Sequence, residues 1–241
     1  MIILRDKCSK CGKCARYCPM NAISLNRSKK YYEVDLDKCV ECYNCYRQSG
    51  CKEDALYCQK LVWPRTIRNL MSDELAVAEE SGISGRGTEE MKTNEVTARF
   101  GVGEVGIGVE MGRHGVSTLL VEVEKVAMKL AELDVEFEPQ NPITSLIEDK
   151  KTGKFKEEVL QERCLSAIIE IKTDLDKLPQ IIEKLREASE EINTVFSLCV
   201  ASKLDENMNN PVLPILDELG VEYRPNSKNN VGLGRPLALA K

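Results

Sequence analysis

The sequence predicts an α+β protein in two parts. A small cysteine-rich amino-terminal domain covers residues 1–62, and an internally repeated α+β sandwich covers 104–241, with a partly glycine-rich connecting segment over 63–103. Three observations predict this division. Nine of the eleven cysteines fall within the first 58 residues. The charge reverses along the chain: residues 1–62 hold 12 Lys/Arg against 7 Asp/Glu, the rest holds 22 against 32, and the two parts carry +5 and −10. From residue 104 onward, apolar residues alternate between strand and helix spacing.

A chain of 241 residues with 42% hydrophobic content is ordinary for a packed protein of two domains. Its opening, MIILRDKC, meets charge and cysteine too early for a secretory signal. No later segment approaches the ~20 apolar residues that a membrane helix needs. A cytoplasmic protein without a membrane span is therefore expected. In a reducing compartment, crowded cysteines argue for metal ligation rather than disulfides.

Residues 8–19 read CSKCGKCARYCP, a C-x2-C-x2-C-x3-C-P pattern with Cys8, Cys11, Cys14 and Cys18 as candidate ligands. Two residues between thiolates let a curled loop present three sulfurs to three iron corners, and the fourth cysteine opens a short helix aimed elsewhere. Structural zinc instead uses two separated cysteine pairs. The run DKCSKCGKC at 6–14 recurs as DKCVECYNC at 37–45, offset by 31, and CPMNAI at 18–23 recurs as CKEDAL at 51–56, offset by 33. Cys51 thus takes the place of Cys18, behind a loop two residues longer, and Lys52 replaces the proline.

On these motifs the first quarter of the chain resembles the two-cluster bacterial ferredoxin family. The resemblance implies two 4Fe-4S clusters with crossed ligation: Cys8, Cys11, Cys14 and Cys51 on one, and Cys39, Cys42, Cys45 and Cys18 on the other. The lengthened loop, at Gln48, Ser49 and Gly50, departs from the family and should alter hydrogen bonding and solvent access near the first cluster. Cys58 is an alternative to Cys51, but the repeat favours Cys51 and reads Cys58 as a small buried residue. Cys164 and Cys199 sit in apolar runs and are expected in the core. Tyr17, Tyr43 and Tyr46 are expected to pack over the clusters and exclude water rather than relay electrons.

Beyond the cysteines, WPRTIRNLMSDELAVAEE (63–80) predicts one short helix, and Val96, Thr97, Phe100 and Val102 predict an edge strand. EVGIGVEMG (104–112) predicts a strand, VSTLLVEVEKVAMKLAEL (116–133) a helix, VEFEP and ITSLIED two strands, and DKKTGK (149–154) a polar turn. The second half continues the alternation, with CLSAIIEIKT as strand, LDKLPQIIEKLREASEE as helix, INTVFSLCVAS as strand, PVLPILDEL as helix and VEYRP as strand. ELDVEFEPQN (132–141) resembles ELGVEYRPNS (218–227) at an offset of 86, which predicts two related β-α-β-β units on one sheet. This order points to a split β-α-β sandwich, ferredoxin-like in its layers and similar to ACT-type ligand-binding domains in element order alone. Such sheets pair edge to edge, so a homo-oligomer, with a dimer favoured, is expected.

Three Gly-Arg pairs, around Arg86, Arg113 and Arg235, offer forked donors beside flexible backbone, and His114 follows Arg113. They form a candidate site for a small anionic ligand. GVGEVGIG lacks the strand-then-helix context of a dinucleotide fingerprint, and the acidic larger domain argues against nucleic acid. No nucleophile or acid–base set accompanies the cysteines. The chain therefore reads as an electron carrier, or an electron-transfer subunit of an oxidoreductase. It would work between a donor and an acceptor redox protein in an anaerobic system. The alternative is a redox or metabolite sensor whose ACT-like domain binds the anion.

Overall fold

The computed structural model describes residues 1–79, 82, 84, 98–112 and 117–224. In the cysteine-rich part, two short ribbons frame two loops. β1 (Ile2–Ile3) pairs antiparallel with β4 (Leu56–Tyr57), and β2 (Ile23–Asn26) makes a hairpin with β3 (Tyr31–Val34). The first cysteine loop leads into α1 (Lys13–Arg16) and the second into α2 (Asn44–Gln48). Met1, Ile23, Cys45 and Leu56 are the buried centre, with Ile3, Tyr32 and Val34 packed against them. So small a core rarely holds a unit below about 70–80 residues without a metal or another staple.

The larger part is built on β5 (Glu104–Met111), β7 (Glu136–Phe137), β11 (Ala167–Asp174) and β12 (Phe196–Ser202). These strands form a sheet of order β12-β5-β11-β7, with every neighbouring pair antiparallel. α4 (Leu120–Ala131) lies between β5 and β7 in the chain, and α5 (Leu178–Glu191) lies between β11 and β12. Each connection therefore skips the strand that sits between the two it joins. Alternation in β5 turns Val105, Ile107, Val109 and Met111 to one face, all fully buried. Helical spacing supplies the matching stripes, Leu120, Val123, Val126, Ala127 and Leu130 from α4 and Leu178, Ile181, Ile182, Leu185 and Ala188 from α5. Full burial of each such Val, Ile or Leu is worth about 1.5–3 kcal/mol relative to exposure. On the opposite face Gly106 admits the ring of Phe100, whose Cζ lies 2.2 Å from where a Cβ would stand.

Two small ribbons pack against α4. β6 (Thr118–Leu119) pairs with β10 (Arg163–Cys164), and β8 (Ile147–Asp149) pairs with β9 (Lys154–Phe155). The turn between β8 and β9 contains Gly153, at φ +72, where an added Cβ would stand 2.4 Å from the Ala127 carbonyl oxygen. Both the backbone conformation and the space exclude a side chain there. Gly153→Ala should cost about 2–4 kcal/mol, measured as a lower Tm of the holoprotein with the cluster spectrum unchanged.

α3 (Thr66–Leu70) connects the two parts. Its Ile67, with Met71 just beyond, is buried in the larger core, while its polar side grips the second cysteine loop. Arg65 donates to Glu41 at 2.7 and 2.9 Å, and Asn69 donates to the Glu41 carbonyl at 2.8 Å. Arg68 donates to the carbonyls of Leu36, Asp37 and Cys39 at 3.0–3.1 Å and forms an ion pair with Glu162. Trp63 Nε1 donates to Glu158 at 2.7 Å across the same junction.

Several local expectations are corrected. Among the described residues of the segment predicted as one helix over 63–80, only Thr66–Leu70 is helical; turns and a bridge between Val77 and Ser84 follow. Val96 and Thr97 lie outside the described residues, and 98–103 form no strand, because Phe100 is taken up by the sheet face at Gly106. ITSLIED begins as a 3-10 turn over Thr144–Leu146, since the Asn141 side chain accepts the Ile143 N–H at 2.7 Å and turns the chain; only Ile147–Asp149 is strand. α6 (Val212–Glu218) precedes the second copy of the repeat as α4 precedes the first, but 221–224 form no strand. Both flanks of β5 and of β11 are already filled by other strands. Cys164 is fully buried as expected, whereas Cys199 is exposed. On β12, alternation packs Phe196, Leu198 and Val200 against the core and leaves Cys199 on the other face.

Candidate metal centre

The sequence repeat is reproduced in the backbone. Lys10 and Glu41, 31 residues apart, are both left-handed (φ 64 and 54), as are Gly12 and Tyr43 (φ 71 and 55). Asn21 and Asp54, 33 apart, are left-handed too (φ 48 and 45). Alternating right- and left-handed residues turn successive N–H groups into a concavity that suits anionic sulfur. The Ala22 N–H donates to Cys18 Sγ at 3.2 Å, and the Ala55 N–H donates to Cys51 Sγ at 3.4 Å. Cys51 therefore has the same backbone setting as Cys18, and α2 with Gly50 (φ 55) absorbs the two extra residues upstream of it.

Two cavities lie beneath these loops. One is walled by Cys8, Cys11, Cys14 and Cys51, with Ser9, Gly12, Lys13, Tyr32, Ser49 and apolar residues between them. The other is walled by Cys18, Cys39, Cys42 and Cys45, with Tyr17, Tyr43, Met1, Met20 and further apolar side chains. Each draws three thiols from one motif and one from the other. Cys58 lines neither and packs beside the small core. Among the described residues no three acidic, histidine or cysteine side chains converge as they would on a single ion. Four thiols spread around a cavity wall fit a multinuclear cluster, in which each sulfur takes its own iron.

The two thiol sets differ at Cys11, although burial raises the Cys14 thiol of the first set as well. Cys11 is exposed, and its thiol is held below its ordinary pKa, chiefly by the Lys13 backbone N–H. In the other cavity, burial pushes up the thiols of Cys39 and Cys42, and that of Cys45 to about 12, with the neighbouring Cys42 adding to the effect. Such thiols are neutral near pH 7 and release their protons only to a metal. Arg47 donates to the Cys42 carbonyl at 2.8 Å and pairs with Asp73 at 2.9 Å, and Arg68 reaches the Cys39 carbonyl. The buried set is thus gripped by guanidinium groups on the side facing the larger part.

Of the predicted tyrosines, Tyr17 and Tyr43 wall the second cavity, and Tyr46 walls neither and is exposed. Tyr32 walls the first cavity and was not legible in the sequence, because it arrives from the β2–β3 hairpin rather than from a cysteine loop. The candidate anion residues Arg86, Arg113, His114 and Arg235 lie outside the described residues. No helix among the described residues is long and apolar enough to cross a membrane.

Paired four-thiol cavities in repeated, curled loops define an iron-sulfur protein. The family of 4Fe-4S dicluster domains matches residues 7–60. A "Ferredoxin-like protein in nif region" from Sinorhizobium fredii (strain NBRC 101917 / NGR234) is 39% identical over 49 residues, which cover 20% of this chain and 73% of that protein. Ferredoxin YfhL from Escherichia coli (strain K12) is 35% identical over 52 residues, 22% of this chain and 58% of that protein. No solved structure matches the chain significantly. The chain belongs to the 4Fe-4S dicluster ferredoxin family through its amino-terminal residues, and it carries two 4Fe-4S clusters.

Proposed function

We propose that the protein is a ferredoxin-like electron-transfer subunit of an anaerobic redox system, in which residues 1–62 carry electrons and residues 104–241 provide docking and assembly. Cys8, Cys11, Cys14 and Cys51 hold one cluster, and Cys18, Cys39, Cys42 and Cys45 hold the other. The observation that carries this reading is the grouping of eight cysteines from two motifs around two cavities, four to each. When bound, each cluster supplies a reversible one-electron couple. Tyr17, Tyr43 and the apolar wall exclude water from the second cavity, while the exposed Cys11 leaves the first open to a redox partner. Arg47 and Arg68 set fixed positive charge against the second loop, and the +5 charge of residues 1–62 is partly offset by the clusters. Anaerobic reductive titration should take up two electrons per chain, and a one-electron viologen dye should take both back. Uptake of none, or bleaching that the dye does not reverse, would sink the electron-carrier reading.

The sheet order, with each connection skipping a strand, supports the split β-α-β, ACT-like reading of the larger part. Sheets of this kind pair edge to edge, so a homodimer is the assembly proposed. Sedimentation equilibrium should give a dimer. A wild-type monomer across the working concentration range would rule out this assembly.

A further inference from the structure

We propose that the Ser49 hydroxyl donates a hydrogen bond to a sulfur of the cluster in the Cys8, Cys11, Cys14 and Cys51 cavity, and that this bond raises the cluster's reduction potential. This rests on the ligand assignment proposed above. Ser49 is 6% exposed and lines that cavity, and its Oγ is buried with no hydrogen-bond partner in the protein. Buried hydroxyls are seldom left without an acceptor. The acceptors assigned to it are the thiolate and sulfide sulfurs of the cluster; Ser9, Lys13 and Tyr32 are the other polar side chains that line this cavity.

The longer loop is what delivers the hydroxyl. In the first motif Cys14 and Cys18 are separated by Ala15, Arg16 and Tyr17, which place no small hydroxyl between them. In the second, α2 runs on to Gln48, Ser49 remains helical at φ −75 and ψ −19, and Gly50 at φ 55 returns the chain to Cys51. Ser49 is thereby set at the wall of one cavity, and the other cavity has no counterpart among its lining residues. Reduction adds one electron and so one negative charge, shared with the sulfurs, while no bond to the protein forms or breaks. A donor to sulfur is strengthened by that charge and favours the reduced form. The departure from family loop length would then make the two clusters unequal.

The test is an anaerobic redox titration of wild-type, Ser49→Ala and Ser49→Thr holoprotein, followed by electron paramagnetic resonance. In Ser49→Ala the reduced-to-oxidised ratio of one cluster should fall about tenfold at a fixed poise, equivalent to about 59 mV for a one-electron couple. The second cluster should not move, and Ser49→Thr should restore the ratio to within about threefold. Both ratios within twofold of wild type in Ser49→Ala, with eight irons retained, would overturn the inference alone. A wild-type protein with four irons or fewer would overturn it together with the ligand assignment. If Ser49→Ala loses iron, electron–nuclear double resonance after deuterium exchange decides on the proteins that keep it: a coupled exchangeable proton whose coupling differs between wild type and Ser49→Thr supports the bond, and identical spectra overturn it.

Discussion

Replacing Cys51 by alanine should lower the iron content from about eight per chain to between about four and seven and abolish the signal of one reduced cluster, while Cys58→Ala leaves both unchanged. Cys51 stands in the wall of the cavity that also holds Cys8, Cys11 and Cys14, and it receives the Ala55 N–H as Cys18 receives that of Ala22. Without it, three thiols remain for four irons. The thiol of Cys58 is raised chiefly by burial, and Cys58 lines neither cavity. Iron and sulfide analysis of both variants, prepared without oxygen, reads the difference directly. Equal losses in the two variants would mean that the longer loop exchanges ligands.

The second large effect is expected at Arg68. This side chain is 6% exposed, holds three carbonyls of the loop that carries Cys39, and pairs with Glu162 of the larger part. Arg68→Ala leaves Glu162 and the carbonyls of Asp37 and Cys39 without this donor, while Leu36 keeps its bond from Arg65. Removing one partner of a buried ion pair costs about 3–5 kcal/mol. Thermal unfolding followed by visible absorbance and by far-ultraviolet circular dichroism should show the cluster loop melting below the sheet, where wild type gives one transition. Arg68→Lys should recover part of the loss, since its ammonium keeps the charge but lacks the planar fork. A wild-type Tm in Arg68→Ala would show that α3 is held by Ile67 and Met71 packing alone.

Much of the cluster site was legible because its information is local. Cysteine spacing and the two repeat offsets determine which thiols resemble which, and the left-handed pairs Lys10/Glu41, Gly12/Tyr43 and Asn21/Asp54 follow the same offsets. Groups that reach the site from elsewhere carried no such mark. Tyr32 comes from a hairpin, and Arg68 comes from a helix whose other residues serve a different core. The strands of the sheet were legible where alternation is strong, as in 104–111 and 167–174. ITSLIED misled because a side-chain cap from Asn141 outweighs β-branched composition. Cys199 misled because a strand packs one face on the core, and an apolar run does not say which residues take the other.

The most direct test of the central claim is iron and acid-labile sulfide per chain on anaerobically purified protein, with the electron paramagnetic resonance spectrum of its reduced form. About eight of each, with signals broadened by two interacting spins, is the predicted result for two complete four-thiol sites. About four of each, with a single unbroadened signal, would contradict it and leave the Cys51 loop without a cluster.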